Sequence, residues 1–381
     1  MRVALFCSLF VFVSPLAADP EKVDVFEAGK GGYALYRIPG IVTTAKGTVL
    51  AYCEARKHAS SDWGTIDLMM RRSTDGGKTW SPQALLPQPP GPFPRNPAAA
   101  KQKLSKEGEV TFNNPVMIAE KAGPIHLLFC VEYGRCFHCR SDDDGQTFGK
   151  PVEITEAIVP LKKNYPWIVV ATGPGHGIEL KNGRLLVPIW LSTGEGGHAH
   201  RPSAVSTLYS DDSGKTWKVG DIVTKHPELT NPSETVAVEL ADGSVMFNIR
   251  SEAKERRRAV VVSKDGATGW SKPRFDDALI DPVCMASILR LGPPEKKQIL
   301  FANPNDAKQR KNLTLRLSED DGKTWPANAI IDSGTSGYCD LALGADGTIL
   351  CIYERGSTDG NGYRTKWLTV ARLSVNELTQ P

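Results

Sequence analysis

A short acidic and glycine-rich pattern recurs along the chain, and this repeat limits the possible folds more than any other feature. The copies are STDGGKTW from Ser73, SDDDGQTF from Ser141, SDDSGKTW from Ser210 and SEDDGKTW from Ser318, with a less regular copy, SKDGATGW, from Ser263. Successive copies begin 68, 69, 53 and 55 residues apart. A unit of this size matches one four-stranded sheet with its loops, which is the repeating unit of a β-propeller.

Each copy of the repeat has the composition of a hairpin turn. Aspartate side chains can bond nearby backbone N–H groups, and glycine supplies the positive φ that tight turns need. We expect the threonine of each copy to begin the next strand, and the aromatic side chain after it to pack between neighbouring sheets. These repeats are therefore expected to build the fold rather than to carry chemistry.

The segments between the repeats have the character of short β-strands. Runs such as TVLAYCEAR, PIHLLFCVEY, RLLVPIWLS and TILCIYER are rich in β-branched and aromatic residues, and no helical periodicity is sustained anywhere. Residues 19–381 are long enough for about six units of roughly 60 residues. The sequence therefore predicts an all-β fold, a single six-bladed β-propeller that spans residues 19–381.

The first 18 residues have the layout of a secretory signal peptide. A single arginine, Arg2, is followed by an apolar run over residues 3–13 and by the small residues Ala17 and Ala18. We expect cleavage near Ala18 and export of the remaining chain, which would be secreted or periplasmic. No later stretch has the ~18 consecutive apolar residues that a membrane-spanning helix needs, so no integral membrane segment is expected after signal removal.

Charge and cysteine content argue against several classes of function. The 46 Lys and Arg residues are mixed with 43 Asp and Glu residues, which gives no field of one sign to favour nucleic acid. Seven cysteines follow the signal segment, and we expect mostly buried free thiols, because an odd number cannot form a complete disulfide framework. Cys136 and Cys139 form a lone CxxC without a second ligand pair, and the repeats lack the spacing of a calcium loop. We expect neither a metal nor a cofactor.

Several arginines lie at the ends of apolar strands in different repeats. Arg37 lies within YRIPGIV, where an unpaired guanidinium would be costly, and so it needs an anionic partner. Arg56, Arg250 and Arg310 lie at or beside strand ends elsewhere. Such residues can converge near the central axis of a propeller, and several arginines together suit a carboxylate ligand. For Arg37 taken alone, an ordinary ion pair is the alternative.

Seven motifs occur in a fixed order along the chain: YRIPGIV, EAR, SDWGTIDLMMRRSTDGGKTW, NPSET, NIRSE, SGYCDLA and IYE. This ordered set resembles the exo-α-sialidase (neuraminidase) family, in particular its bacterial and animal-type members with an RIP motif and Asp-box repeats. The resemblance runs from Tyr36 to Arg364, and it is the order of the motifs that makes it specific, because unrelated propellers also carry Asp boxes. It implies hydrolysis of terminal α-linked sialic acid from glycans, glycoproteins or glycolipids.

The resemblance also implies roles for eight residues. Three arginines would grip the carboxylate of sialic acid, a fourth would lie near the sugar's 4-hydroxyl, and a glutamate would brace the first arginine. The remaining three would be the acid/base, the nucleophile and the base that activates the nucleophile. The three arginines are Arg37, Arg250 and Arg310, the fourth arginine is Arg56, and the glutamate is Glu354. The acid/base is Asp62, the nucleophile is Tyr338, and the base that activates it is Glu234. One departure from the pattern is Cys339, which stands beside the nucleophile where the family has serine.

The residue types fit the chemistry that the resemblance implies. Sialidases differ from most retaining glycosidases in using a tyrosine nucleophile. A neutral phenol is not repelled by the substrate carboxylate, but its pKa of about 10 makes it a poor nucleophile unless a base such as Glu234 takes its proton. Asp62 would protonate the leaving oxygen, so we expect it to be protonated in the free protein and activity to have an acidic optimum.

Three alternatives to a hydrolase differ in which of these residues they require. A trans-sialidase would pass the sugar from Tyr338 to another glycan instead of to water, and it would share the whole residue set. A non-catalytic sialic-acid-binding propeller would keep the arginines but lack Asp62, Glu234 or Tyr338, and all three are present. A purely structural propeller would have Asp boxes without the arginines.

Overall fold

The computed structural model describes residues 20–59 and 61–379, and within them nearly all regular structure is β-strand. The expected signal peptide, residues 1–18, lies outside the described residues. Only two short α-helices and three turns of 3-10 helix accompany the strands in this part of the chain. The prediction of an all-β fold is therefore confirmed.

The strands follow one another in chain order, with the helices between or after them. The first part of the chain forms β1 (Glu21–Glu27), β2 (Leu35–Thr43), β3 (Val49–Arg56), β4 (Ile66–Ser73), β5 (Ala84–Leu85), α1 (Pro97–Gln102), β6 (Phe112–Ala119), β7 (Ile125–Val131), β8 (Arg135–Ser141) and β9 (Val152–Glu153). The middle part forms β10 (Val169–Thr172), β11 (Gly175–His176), β12 (Ile178–Glu179), β13 (Leu185–Ser192), β14 (Ser203–Ser210), β15 (Lys218–Val219), β16 (Thr224–Lys225), β17 (Thr235–Glu239), β18 (Val245–Ile249), β19 (Arg257–Ser263) and β20 (Arg274–Ile280). The last part forms β21 (Ser287–Arg290), β22 (Ile299–Pro304), β23 (Lys311–Ser318), β24 (Ala327–Leu343), β25 (Ile349–Arg355), β26 (Trp367–Leu373) and α2 (Asn376–Thr379).

Neighbouring strands pair mainly as antiparallel meanders. The sheet β2-β3-β4-β5 comes first, and the sheet β6-β7-β8-β9 comes second, with β11 added to β6 in parallel. The third sheet contains β10, β12, β13, β14, β15 and β16, and the fourth is β17-β18-β19-β20. The last sheet has seven strands, in the order β1-β26-β25-β24-β23-β22-β21.

The seven-stranded sheet consists of two parts that share one long strand. The first part of β24 pairs with β23, whereas its second part pairs with β25. At the outer edge of the second part, β1 pairs with β26, so that Glu21 lies opposite Arg372. Strand β1 is thus an edge strand of the sheet that the C-terminal strands form.

The turns of the repeats are held by the hydrogen bonds that their composition predicts. In the first copy, the backbone N–H of Gly77 donates to Ser73 Oγ at 2.8 Å, and Asp75 Oδ1 accepts from the backbone N–H of Thr79 at 2.9 Å. Thr79 Oγ1 donates to Asp75 Oδ2 at 2.6 Å. Gly77 has a φ of 85°, in the region that glycine adopts most easily. The expectation that this threonine begins the next strand is wrong, because its backbone and hydroxyl bond Asp75 and β5 begins only at Ala84.

The aromatic residues of the repeats pack between sheets, as predicted. Trp217 lies in a buried cluster with Leu128 of β7 and Leu208 of β14, which belong to different sheets. Trp325 contacts Phe301 of β22 with ring centroids 5.6 Å apart, in a cluster that also contains residues of β17 and β18. The repeats therefore join one sheet to the next.

The structure also bears on the cysteines and on membrane insertion. All seven cysteines of the described chain are buried and unpaired, as expected; they are Cys53, Cys130, Cys136, Cys139, Cys284, Cys339 and Cys351. Neither of the helices in residues 20–59 and 61–379 is long and apolar enough to cross a membrane.

Candidate active site

The eight predicted site residues come from separate strands and loops and meet at one cavity. Six of them line it, namely Arg37, Asp62, Glu234, Arg250, Arg310 and Tyr338. The other two, Arg56 and Glu354, contact residues that line the cavity. Arg37, Tyr338 and Glu354 lie within β2, β24 and β25, whereas the others lie at strand ends or in loops.

The centre of the cavity is a hydrogen-bonded group of a phenol, a carboxylate and a guanidinium. The hydroxyl of Tyr338 donates to Glu234 Oε1 at 2.5 Å. Arg250 Nη1 donates to the Tyr338 oxygen at 2.8 Å and also to Glu234 Oε2. Burial raises the pKa of Tyr338 above its ordinary value, although Arg250 opposes this effect. The tyrosine is therefore a neutral phenol, and a carboxylate is placed to accept its proton.

Arg37 has the anionic partner that its place in an apolar strand requires. Its Nε and Nη2 atoms donate to the two carboxylate oxygens of Glu354 at 2.9 and 3.2 Å. The backbone N–H groups of Ile38 and Tyr338 donate to the same carboxylate, each at 3.2 Å. Ile38 has a φ of 57°, which is unusual for a β-branched residue and marks local strain beside the site. Glu354 thus fixes the backbone of β2 and β24 as well as the guanidinium.

Arg310 is a buried cation without an acidic partner among the residues that the structure describes. Its guanidinium lies over the rings of Tyr338 and Tyr363, at 5.0 and 4.1 Å from their centroids. Its Nη2 atom donates to the carbonyl of Val283 at 3.3 Å, but Nε and Nη1 have no hydrogen-bond partner within the described chain. The Nε atom of Arg250 also has no partner there. Because unpaired buried charges are costly, these donors suit an anionic ligand.

Asp62 lies in the loop after β3, where two arginines hold it. Arg56 Nη1 donates to Asp62 Oδ1 at 2.8 Å, and Arg37 Nη1 is 3.6 Å from the same oxygen. Partial burial acts to raise the pKa of Asp62, but Arg56 and Arg37 lower it well below its ordinary value. The expectation that Asp62 is protonated in the free protein is therefore wrong for this arrangement, because the two guanidinium groups favour the carboxylate.

Arg56 is bonded to acidic and backbone groups beside the cavity. Its Nε and Nη2 atoms donate to Glu54 Oε2 at 3.1 and 2.7 Å, and Nη1 is used by Asp62 and by the carbonyl of Ser61. It is not among the residues that line the cavity. Arg56 therefore holds Asp62 in this structure, and its role at the sugar 4-hydroxyl stays a prediction.

One wall of the cavity is aromatic, and the motifs gave no indication of it. Tyr133, Trp190 and His200 line the cavity, and Trp63 packs behind them. The His200 ring lies 5.0 Å from that of Tyr133 and 5.1 Å from that of Trp190. Burial lowers the pKa of His200 to about 4, so its ring is neutral near pH 7. Only Trp63, directly after Asp62, had a sequence signal; the others fall outside any motif.

Two family models match the chain. The model described as "BNR repeat-like domain" matches residues 94–351, and the one described as "BNR/Asp-box repeat" matches residues 71–82. Both descriptions agree with the repeats that the sequence shows.

Curated relatives are sialidases from bacteria and animals. The chain is 30% identical to a sialidase of Bacteroides fragilis, over 87% of this chain and 62% of the relative. It is 30% identical to a sialidase of Micromonospora viridifaciens, over 88% of this chain and 52% of the relative. It is 26% identical to sialidase-3 of Bos taurus, over 91% of this chain and 90% of the relative. The chain thus spans between half and two thirds of the two bacterial relatives.

Solved structures show the same fold. The Hadza microbial sialidase Hz136 superposes with a TM-score of 0.77 at 26% identity, over 94% of this chain and 69% of that one. The intramolecular trans-sialidase from Ruminococcus gnavus superposes with a TM-score of 0.75 at 19% identity, over 94% of this chain and 98% of that one.

Proposed function

Since the chain belongs to the sialidase family with BNR/Asp-box repeats, we propose that it is an exo-α-sialidase that removes terminal α-linked sialic acid from glycoconjugates. The observation that carries the proposal is the hydrogen bond from Tyr338 to Glu234, inside a cavity that Arg37, Arg250 and Arg310 also line. This combination supplies an activated nucleophile and a site for an anionic sugar.

Arg37, Arg250 and Arg310 would bind the carboxylate of the sugar. The Nε and Nη1 atoms of Arg310 and the Nε atom of Arg250 are buried donors without partners in the described chain, and a carboxylate accepts several such bonds. The Nε and Nη2 atoms of Arg37 stay bonded to Glu354, and these bonds hold the long side chain of Arg37 in place. The substrate would then be held with its anomeric carbon near the Tyr338 hydroxyl.

The reaction would proceed in two steps with overall retention. In the first, the Tyr338 oxygen attacks the anomeric carbon and its proton passes to Glu234, while the bond to the leaving oxygen breaks and Asp62 protonates that oxygen. In the second, water attacks the anomeric carbon of the tyrosyl sialoside and gives a proton to Asp62. As the water oxygen bonds to this carbon, the bond to Tyr338 breaks, and Glu234 returns the proton to the phenol.

Substrate binding would also supply the proton that Asp62 needs. In the free protein Arg37 and Arg56 keep Asp62 ionised. A bound substrate carboxylate competes with Asp62 for Arg37 and brings a second negative charge close to it. Like charges raise a carboxyl pKa, so Asp62 would take up a proton when the substrate binds. The side chain of Asp62 is 46% exposed, which leaves it open to solvent protons.

The proposal is tested by release of 4-methylumbelliferone from its α-sialoside between pH 4 and 8. Tyr338→Phe removes only the nucleophilic oxygen and should lose release while remaining folded. Tyr353→Phe is a matched control, because its hydroxyl donates to a different carboxylate, Asp332, at 2.8 Å and lies outside the cavity. A folded wild-type protein that binds sialic acid without releasing the fluorophore would contradict the proposal.

We also propose the finer architecture and the location of the protein. The seven-stranded sheet divides at β24 into two four-stranded groups, and together with the other four sheets this supports six blades. Residues 19–381 would form this single catalytic domain. The N-terminal pattern supports export after cleavage of residues 1–18. N-terminal sequencing of the exported protein tests the cleavage site.

A further inference from the structure

We propose that Asp340 and His176 form a buried positioning pair that fixes Tyr338 relative to the arginine-bearing strand β2. The pair lies outside the residues that line the active-site cavity. The inference rests on the proposed function, since its kinetic test measures sialoside hydrolysis.

Four separate strands meet at the carboxylate of Asp340, which is fully buried. His176 Nδ1 of β11 lies 2.7 Å from Oδ1, and Ser287 Oγ of β21 donates to the same oxygen at 2.8 Å. The backbone N–H of Ile41, in β2, donates to Oδ2 at 3.0 Å. Ser287 Oγ in turn accepts from the backbone N–H of Leu341 at 3.0 Å. A carboxylate can accept all three bonds, whereas an amide cannot.

Two of the strands joined in this way carry predicted site residues, Tyr338 in β24 and Arg37 in β2. Asp340 comes two residues after Tyr338 in β24. Ile41 comes four residues after Arg37 in β2. Glu354 connects these two strands beside the cavity, through the backbone N–H groups of Ile38 and Tyr338. Asp340 supplies a second connection, and two connections define the position of one strand relative to the other better than one.

His176 completes this arrangement from the parallel strand β11. Because a carboxylate only accepts, Nδ1 of His176 must carry the proton in this contact. Burial acts to lower the pKa of His176, but Asp340 raises it above its ordinary value. The preceding Gly175 has a φ of 90°, and a Cβ there would come within 2.6 Å of Met285 and 3.1 Å of Asp340 Oδ1. Glycine thus permits the close approach that the pair needs.

The pair should affect turnover more than binding. The Tyr338 oxygen must keep its 2.5 Å contact with Glu234 in order to transfer its proton, and small displacements of reacting groups lower rates strongly. In Asp340→Asn, the side-chain N–H₂ group would face at least one of the donors that now bond the carboxylate, and that hydrogen bond would be lost. By analogy with other positioning residues, we expect kcat to fall about tenfold or more. The KM for the sialoside and the Ki of free sialic acid should stay within about twofold, because the arginines are unchanged.

The experiment compares Asp340→Asn and His176→Gln with the wild-type protein, using 4-methylumbelliferyl α-sialoside hydrolysis and unfolding temperature. Ser287→Ala, which removes one hydrogen bond to Asp340, serves if the first two variants do not fold and should show a smaller fall in kcat. His126→Gln is the matched control: His126 is a buried histidine 2.5 Å from a carboxylate oxygen of Glu120, but it contacts no predicted site residue. It should lower the unfolding temperature and leave kcat unchanged.

The outcomes separate positioning from a purely structural role. A lower kcat with unchanged KM and Ki in folded variants, together with wild-type kcat in the control, supports the proposal. Wild-type kcat in the folded variants, a parallel change in Ki, or an equal loss of kcat in the control overturns it. If the wild-type protein itself does not hydrolyse the sialoside, the proposed function fails. The positioning is then decided by a crystal structure of Asp340→Asn, in which an unmoved Tyr338 hydroxyl would refute it and a displaced one would support it.

Discussion

Replacing Arg310 with lysine should lower kcat/KM for the sialoside without destabilising the protein. Arg310 has no acidic partner in the described chain, so its replacement leaves no buried carboxylate unpaired. Its Nε and Nη1 atoms are the donors that the proposal assigns to the substrate carboxylate. Lysine keeps the positive charge but offers a point donor in place of a planar fork, so it can replace one of these two bonds.

The magnitude follows from the loss of the second bond. A hydrogen bond to a charged group contributes about 1.5–3 kcal/mol, which corresponds to a fall of roughly 10- to 150-fold in kcat/KM. The substrate carboxylate is bound in both the ground state and the transition state, so most of the effect should appear in KM. The Ki of free sialic acid should rise by a similar factor.

The assay is initial-rate hydrolysis of 4-methylumbelliferyl α-sialoside, with inhibition by sialic acid measured on the same protein. Arg316→Lys is a matched control, because Arg316 is also buried and lies in the following strand, but it donates to Asn303 and does not line the cavity. The control should keep wild-type kinetics. If Arg310→Lys stays within twofold of wild type in kcat/KM and Ki, the assignment of Arg310 to the carboxylate site is refuted.

Three further predictions concern pH and the repeats. The rate should follow a bell-shaped profile with an acidic optimum, because Asp62 must be protonated when substrate is bound; a flat profile between pH 4 and 8 would contradict this. Stability to urea should fall as pH decreases from about 6.5 to 4. Burial lowers the folded-state pKa of His138 to about 3 and of His200 to about 4, whereas the same histidines in the unfolded chain take up protons over this range. Equal unfolding free energies at pH 7 and 4.5 would show the reasoning to be wrong. Asp212→Ala should lower the unfolding free energy by about 1–2 kcal/mol, because the Asp212 carboxylate accepts three hydrogen bonds within its repeat. The neighbouring Asp211→Ala removes a partly exposed ion pair and should lower it by under about 1 kcal/mol. Equal losses would argue against a structural role for the repeat.

The repeats made the fold predictable because their signal is local. Serine, aspartate and glycine at fixed offsets determine the turn, and even the less regular copy from Ser263 keeps the bond from Ser263 Oγ to Asp265. The long strand β24 was harder to predict, because Gly334 and Gly337 suggest a break in the segment that the structure shows as continuous. Register shifts on both sides of β24 let it change partner without a turn, and such shifts leave little trace in the sequence.

The motifs predicted eight residues that the structure brings together at one cavity, but not all of their surroundings. The convergence of the eight residues follows from strand order, which the repeats also indicate. The ionisation of Asp62 was mispredicted because it depends on Arg56, and the orientation of Arg56 depends on the buried Glu54, two residues earlier. His200 comes from a loop between β13 and β14 that carries no motif, and only the fold places it beside Tyr133. Such contacts join segments that are far apart in the chain, so local motifs in a single sequence do not indicate them.

The central claim is that Tyr338 becomes covalently bonded to the anomeric carbon of sialic acid. The most direct test is mass spectrometry of the intact protein and its peptides after incubation with 2,3-difluorosialic acid, an analogue that slows release of such an intermediate. The account predicts one added fluorosialosyl group, on the peptide that contains Tyr338, and none in Tyr338→Phe. An active wild-type protein that forms no adduct, or whose adduct lies on Glu234, would contradict the account.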